Sequence, residues 1–215
     1  MTNGDARTTT VTPETTAITE TAETTVPTVP TVPTETTETT AETVDTVEYA
    51  PEHTPRLAWA ELAPEVFKAM LRLDAAARKG LDPKLLELVK IRASQINRCA
   101  LCVDMHSKDA LAAGESVERI IQLSAWEESE HFYTEKELAA LALTEAVTVL
   151  TGGTSQAFGT GGGFVPDAVY ERAAKHFEEA ELAQLIAAIT VINAWNRFGV
   201  TCRLVPGHYE VGQYK

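Results

Sequence analysis

Two thiols and an imidazole fall within one short run, Cys99-Ala-Leu-Cys102-Val-Asp-Met-His106. Steps of three and four residues place the three side chains on one face of a helix. Two cysteines one turn apart at a helix start can close a disulfide with little backbone movement. The free N–H groups and the dipole of that helix end favour thiolate over thiol. His106, four residues past Cys102, is placed to exchange a proton with its sulfur. A redox dithiol needs this set: a thiolate to attack, a second thiol to resolve and a base to move the proton. On the dipole alone, Cys99 is the more acidic of the two.

Other readings of these residues stay open at this point. Two buried structural cysteines would also fit. A zinc site could draw on Cys99, Cys102, His106 and the distant Cys202, although a single Cys-x2-Cys is half of a zinc pattern. A thioredoxin fold would set the pair after a strand, whereas Leu85 to Ile96 reads as helix. Cys202 alone reads as a packing residue. Glu87, on a helix with apolar neighbours, reads by itself as a surface or rim charge, with Lys90 and Arg92 within reach. His131, His176 and His208 have no partners in sequence and read as surface residues, and His53 belongs to a linker. Asp104 and Asp109 lie five residues apart and do not share a face. The run Gly159-Thr-Gly-Gly-Gly163 lacks the Gly-Lys-Ser/Thr of a phosphate loop, and no strand precedes it.

The elements that must position these residues read as helices. Ala63-Pro64 opens the first, with Val66, Phe67, Met70, Leu71 and Leu73 on its apolar side and Gly80 at its end. Asp82-Pro83 opens the second, with Leu85, Leu86, Val89 and Ile96 inward. Asn97 is expected to end it and to cap the third, which runs from about Arg98 to Ala113 before Gly114. Ser116 begins a fourth, through Ile120, Ile121 and Trp126. Thr134-Glu-Lys-Glu137 is a capping box that opens a fifth, through Leu138, Leu141, Val147 and Leu150. Residues 152–163 hold six glycines and read as a flexible loop. Pro166 opens a short helix to about Phe177. The last helix runs from about Ala180 to Phe198; its β-branched run Leu185 to Ile192 mimics a strand, but length and alanine content favour a buried helix. The fold class expected is all-α, with six to seven helices. A last helix apolar on nearly every side is central in a core or pressed against another subunit. In a domain this small the second reading predicts a homo-oligomer. Trp195 and Asn196 then line either the pocket or the subunit contact.

The chain has 215 residues and a formal net charge of −13. Residues 1–50 hold 20 threonines, nine acidic residues and one basic residue, Arg7. The stretch from Thr25 to Pro33 is Thr-Val-Pro three times over. Such a segment cannot bury enough apolar surface to offset its ordering entropy. A disordered tail over 1–52 and one folded domain over 53–215 are expected. An acidic chain without a Lys/Arg cluster is a poor binder of nucleic acid or anionic membranes. No apolar run approaches the roughly 20 residues of a membrane span, and the first 30 residues carry no secretory leader pattern. Three cysteines do not make a disulfide framework, so a reducing, cytoplasmic setting is expected.

From about Arg56 to Pro206 the sequence resembles the carboxymuconolactone decarboxylase superfamily, in its AhpD-like alkylhydroperoxidase branch. The family motif stands here with its full spacing, as Glu87, eleven residues, Cys99-x2-Cys102-x3-His106. The runs Asp104-Met-His-Ser-Lys-Asp109, Thr144-Glu-Ala-Val-Thr148 and Ile192-Asn-Ala-Trp-Asn-Arg197 are also typical of it. The resemblance implies an all-helical fold assembled into dimers, trimers or hexamers. It implies peroxidase or disulfide-reductase chemistry without flavin, haem or metal. Carried over residue by residue, Cys102 attacks the peroxide, Cys99 resolves, and Glu87 with His106 forms the proton relay; this reverses the order that the helix dipole alone favours. Leu101 stands where the best-known members carry a second histidine, which shortens the relay. The Gly-rich segment is longer than the family's usual connection, and the Thr-rich tail has no counterpart in it.

The reaction expected is the reduction of a hydroperoxide, with recycling by a dithiol donor such as a lipoyl or thioredoxin-like protein. A decarboxylase-type lyase is the alternative within the superfamily. It needs cationic groups for carboxylates rather than two thiols, and that branch generally lacks the pair. A third reading is a redox sensor or adaptor with the acidic tail as docking arm.

Overall fold

Proline or a side-chain cap fixes where four of the helices begin. A computed structural model describes residues 54–150 and 164–214. Eight α-helices lie among the described residues: α1 Trp59–Leu62, α2 Pro64–Ala77, α3 Pro83–Ile96, α4 Ala100–Ala112, α5 Val117–Gln122, α6 Glu135–Thr148, α7 Asp167–Ala174 and α8 Glu179–Thr201. No strand occurs among them. Pro64 and Pro83 stand at the first positions of α2 and α3, and Asp82 accepts from the Leu85 N–H. Ser116 caps α5, and Thr134 with Glu137 forms the expected capping box of α6. The tail over 1–52 and the Gly-rich loop 152–163 lie outside the described residues.

Helices α3 and α8 are the two central rods. Leu85, Leu86, Leu88, Val89, Ile91 and Ala93 are all buried, so α3 has little solvent face; it packs on α4, α6 and α8. Two apolar clusters result. One joins Leu85, Leu86 and Val89 to Leu143, Leu185 and Ile189; the other joins Leu88 and Ile91 to Leu123, Trp126 and Leu141. Each fully buried leucine contributes on the order of 1.5–3 kcal/mol of transfer free energy. The strand-like run Leu185 to Ile192 is helix throughout. Helix α8 packs against α2, α3, α4, α6 and α7 of its own chain. Its apolar character is thus met within the fold and is no argument for a subunit interface.

Helix α2 departs from its expected face. Val66 and Leu73 are half-exposed, while Phe67, Leu71, Asp74 and Ala77 turn inward. The helix ends at Ala77 rather than at Gly80, which supplies a left-handed turn (φ +79°). Its inward face is not an apolar stripe because Asp74 is buried there, held by Arg78 and by Lys90 of α3. Helix α5 is shorter than expected and hands over to a 3₁₀ turn, Leu123–Ala125, before buried Trp126. Ile121 faces solvent.

Candidate functional site

The turn between α3 and α4 sets the first cysteine. Arg98 takes a left-handed conformation (φ 57°), its N–H donates to the Gln95 carbonyl at 3.1 Å, and the Cys99 N–H donates to Ser94 at 3.0 Å. This is a Schellman closure of α3, and its last residue, Cys99, is also the extended N-cap of α4. Asn97 was expected to cap α4. It is instead the C-cap of α3, because its side chain is drawn away to α8: its amide donates to Asn193 Oδ1 at 2.8 Å and to Asn196 Oδ1 at 2.9 Å. Asn196 in turn donates to Ser94 Oγ at 2.9 Å. These bonds fix the entry of α4 against α8.

Cys99 and Cys102 are joined by a disulfide, with Cα atoms 5.3 Å apart. Both are buried, but they face different ways. Cys102 lines a cavity of about 400 Å³ together with Glu87, Lys90, His106 and Asp109. Cys99 is not on that wall; it borders an open depression beside Arg98, Val103 and Pro206. Two of the expected site residues are brought together: His106 Nδ1 lies 2.8 Å from Glu87 Oε2, both side chains buried. Burial lowers the His106 pKa from 6.5; the hydrogen bond to Glu87 opposes this, and the Lys90 charge adds to it. A neutral ring beside a carboxylate carries its proton on Nδ1, donates it to Glu87 and leaves Nε2 as the basic nitrogen.

A second carboxylate, which the motif spacing does not signal, enters the cluster. Asp109 joins Glu87 and His106, with one ligating atom of each within 4.8 Å of the others. Two carboxylates and an imidazole could hold a divalent cation, but the nearby Lys90 charge opposes one. No cysteine belongs to that group, and the two thiols are committed to each other, so the zinc set with Cys202 is not assembled. Cys202 is buried and free.

Asp109 is held by Tyr209, whose hydroxyl lies 3.0 Å from both carboxylate oxygens and accepts the Gly212 N–H at 3.0 Å. Burial pushes the Tyr209 pKa up to about 12; the Gly212 bond opposes this and Asp109 adds to it, so the phenol stays a donor. The segment 204–214 is strapped to α4 elsewhere too. Asp104 accepts the Gly207 N–H at 2.9 Å, and Lys108 donates to the carbonyls of Gly207 and Tyr209. Asp104 and Asp109 therefore serve one task from adjacent faces. His208 is exposed, as the sequence predicts, and it also lines the cavity.

Most of the remaining wall is apolar, with Trp59, Phe67, Leu71, Leu101, Met105 and Trp195, while Glu61, Asp74, Arg78 and Gln213 are polar members of it. Trp59 stacks on Phe198 with ring centroids 3.9 Å apart. Trp195 thus lines the pocket, while Asn196 is buried in the α3–α8 contact. Helix α1 and the C-terminal strap went unseen in the sequence; four residues show no periodicity, and Tyr209 meets Asp109 across 100 residues.

Residues 64–146 match the family model described as carboxymuconolactone decarboxylase family. The chain is 37% identical over 146 residues to the uncharacterized protein YdfG of Bacillus subtilis, covering 67% of this chain and 92% of that one. It is 37% identical over 60 residues to the alkyl hydroperoxide reductase AhpD of Coxiella burnetii, a match that spans 26% of this chain and 34% of that one. It is also similar to a crystal structure from Agrobacterium tumefaciens, of unknown function and described as a putative antioxidant defence protein AhpD. That similarity has a TM-score of 0.65 at 37% identity, over 73% of this chain and all of that one.

Proposed function

Because the chain belongs to the carboxymuconolactone decarboxylase/AhpD-like superfamily, we propose that it is a thiol-dependent peroxidase, in which Cys102 attacks a hydroperoxide and Cys99 resolves. One observation carries this reading: of the two paired sulfurs, Cys102 is the one on the cavity that holds His106, Glu87 and Asp109. In the reduced protein, His106 Nε2 takes the Cys102 proton. The thiolate attacks the distal peroxide oxygen; an S–O bond forms, the O–O bond breaks, and the alkoxide leaves with the proton that His106 returns. Cys102 is then a sulfenic acid. The Cys99 thiolate attacks its sulfur, hydroxide leaves and is protonated to water, and the disulfide closes. A dithiol donor, lipoyl or thioredoxin-like, returns two electrons and two protons.

The apolar wall supports an organic hydroperoxide as the better substrate over hydrogen peroxide. A lyase reading lacks support in the same cavity, since its cations Lys90 and Arg78 are both paired with Asp74. Self-association belongs to the proposed reading and rests on the family, as does the division into a tail and one catalytic domain. Peroxide consumption with dithiothreitol as donor tests the reading. Turnover that is faster with cumene hydroperoxide than with hydrogen peroxide, and lost in Cys102→Ser, is expected. Full turnover in Cys102→Ser would overturn it.

A further inference from the structure

Near its end, inside its last turns, α8 carries a glycine, Gly199. Glycine within a helix is less favourable than alanine, and the backbone here is ordinary helix, so no left-handed turn demands it. Its surroundings do. A Cβ at position 199 would lie 2.6 Å from Cys99 Sγ and 3.4 Å from Cys102 Sγ. The first distance is far inside any non-bonded carbon–sulfur contact. Helix α8 has little room to retreat. Asn196, one turn earlier, is bonded to Asn97 and Ser94, on the segment that leads into Cys99. On the other flank, Phe198 is stacked on Trp59, and the Gly199 carbonyl accepts the Leu204 N–H at 2.9 Å.

We propose that Gly199 is a positioning residue of the redox step: its bare Cα leaves the space that the Cys99 sulfur fills in the disulfide, and so sets how readily the pair oxidises. In the dithiol form Cys99 is no longer tethered to Cys102 and can turn to another staggered rotamer. A methyl group at position 199 therefore penalises the disulfide more than the dithiol. The proposal takes from the proposed function the interconversion of this pair, and nothing about the oxidant. The step concerned is thiol–disulfide exchange: an external dithiol attacks the protein disulfide, a mixed disulfide forms and resolves, the pair gains two electrons and two protons, and the donor becomes a cyclic disulfide.

The test equilibrates the full chain and Gly199→Ala with mixtures of reduced and oxidised dithiothreitol, and counts alkylated thiols by mass. The expected result is a shift of about tenfold toward the dithiol, or about 30 mV for this two-electron couple. Thermal melting of the same substitution in a Cys99→Ala background, where the sulfur is gone, is expected to be unchanged or raised. A Gly199→Ala protein that stays folded while the pair is reduced and loses its fold when the pair is oxidised supports the proposal; one that fails to fold with the pair reduced overturns it. A folded Gly199→Ala whose equilibrium stays within about twofold of the parent overturns it, as does a loss of folding equal in both backgrounds. An inert response of the reduced parent to cumene hydroperoxide would instead count against the peroxidase, with the dithiothreitol shift still deciding the role of Gly199.

Discussion

At the residue scale, His106 is the most exposed to test, because burial holds it neutral against the pull of Glu87. A lowered histidine pKa has a fixed sign in stability. Above 6.5 both folded and unfolded chains carry the neutral ring, and the full stability is present. As pH falls below that value the unfolded chain binds the proton first, so stability declines until the folded ring also titrates. Melting temperature should therefore fall with pH from about 6.5 downward, and His106→Gln should flatten that decline. A decline of the same size in His106→Gln would place its origin elsewhere. For the reaction, the base form is already present at neutral pH. Single-turnover oxidation should thus fall only on the acid side, and His106→Gln should slow it by about 10²–10⁴-fold. Glu87→Gln keeps a hydrogen-bond acceptor beside Nδ1 but loses the charge, so its loss should be smaller. The relay spacing was legible because Glu87, Cys102 and His106 sit in a fixed motif. Asp109 was not, because its partner Tyr209 comes from the far end of the chain.

At the element scale, helix starts were more legible than helix faces. Thr134 and Glu137, Asp82 and Ser116 act locally, and each caps where the sequence predicts. The face of α2 depends instead on what packs against it: Val66 and Leu73 were expected inward, yet the buried positions are Ala77 and Asp74, and the Asp74 charge is met by Arg78 and by Lys90. The α3–α4 turn was misread for a related reason, since α8 takes the Asn97 side chain that would have capped α4. That turn stores a cost at Arg98, a left-handed non-glycine residue. Such a conformation costs about 1–2 kcal/mol. Arg98→Gly should raise the denaturation midpoint, whereas Arg98→Val, with a branched Cβ, should lower stability by at least about 1 kcal/mol. Urea unfolding of the two variants checks both signs; a stabilising Arg98→Val would refute the turn assignment.

At the scale of the whole molecule, the cavity that holds Cys102 is closed by the two ends of the folded region. Trp59 enters from α1 and Tyr209 from the C-terminal strap, and both face the cavity with Cys102. Tyr209→Phe keeps the ring and removes the donor to Asp109. Leaving that buried carboxylate short of a partner should cost about 1–3 kcal/mol, read by thermal or urea unfolding. It should also alter the pH profile of thiol oxidation, because Asp109 acts on the His106 charge; a purely structural role would leave the profile in place. The all-helical class was readable from periodicity. The enclosure of the cavity was not, because it depends on contacts between α1, α2, α8 and the strap that no local pattern encodes. The central claim is that Cys102 is the attacking thiol and Cys99 the resolving one. Rapid mixing of the reduced protein with cumene hydroperoxide, with a sulfenic-acid trap and the Cys99→Ser and Cys102→Ser variants alongside, tests it most directly. The account predicts that the parent loses both active-site thiols quickly, that Cys99→Ser is trapped as a sulfenic acid at Cys102, and that Cys102→Ser does not react. A trapped sulfenic acid at Cys99 in Cys102→Ser, or no loss of thiols in the parent, would contradict it.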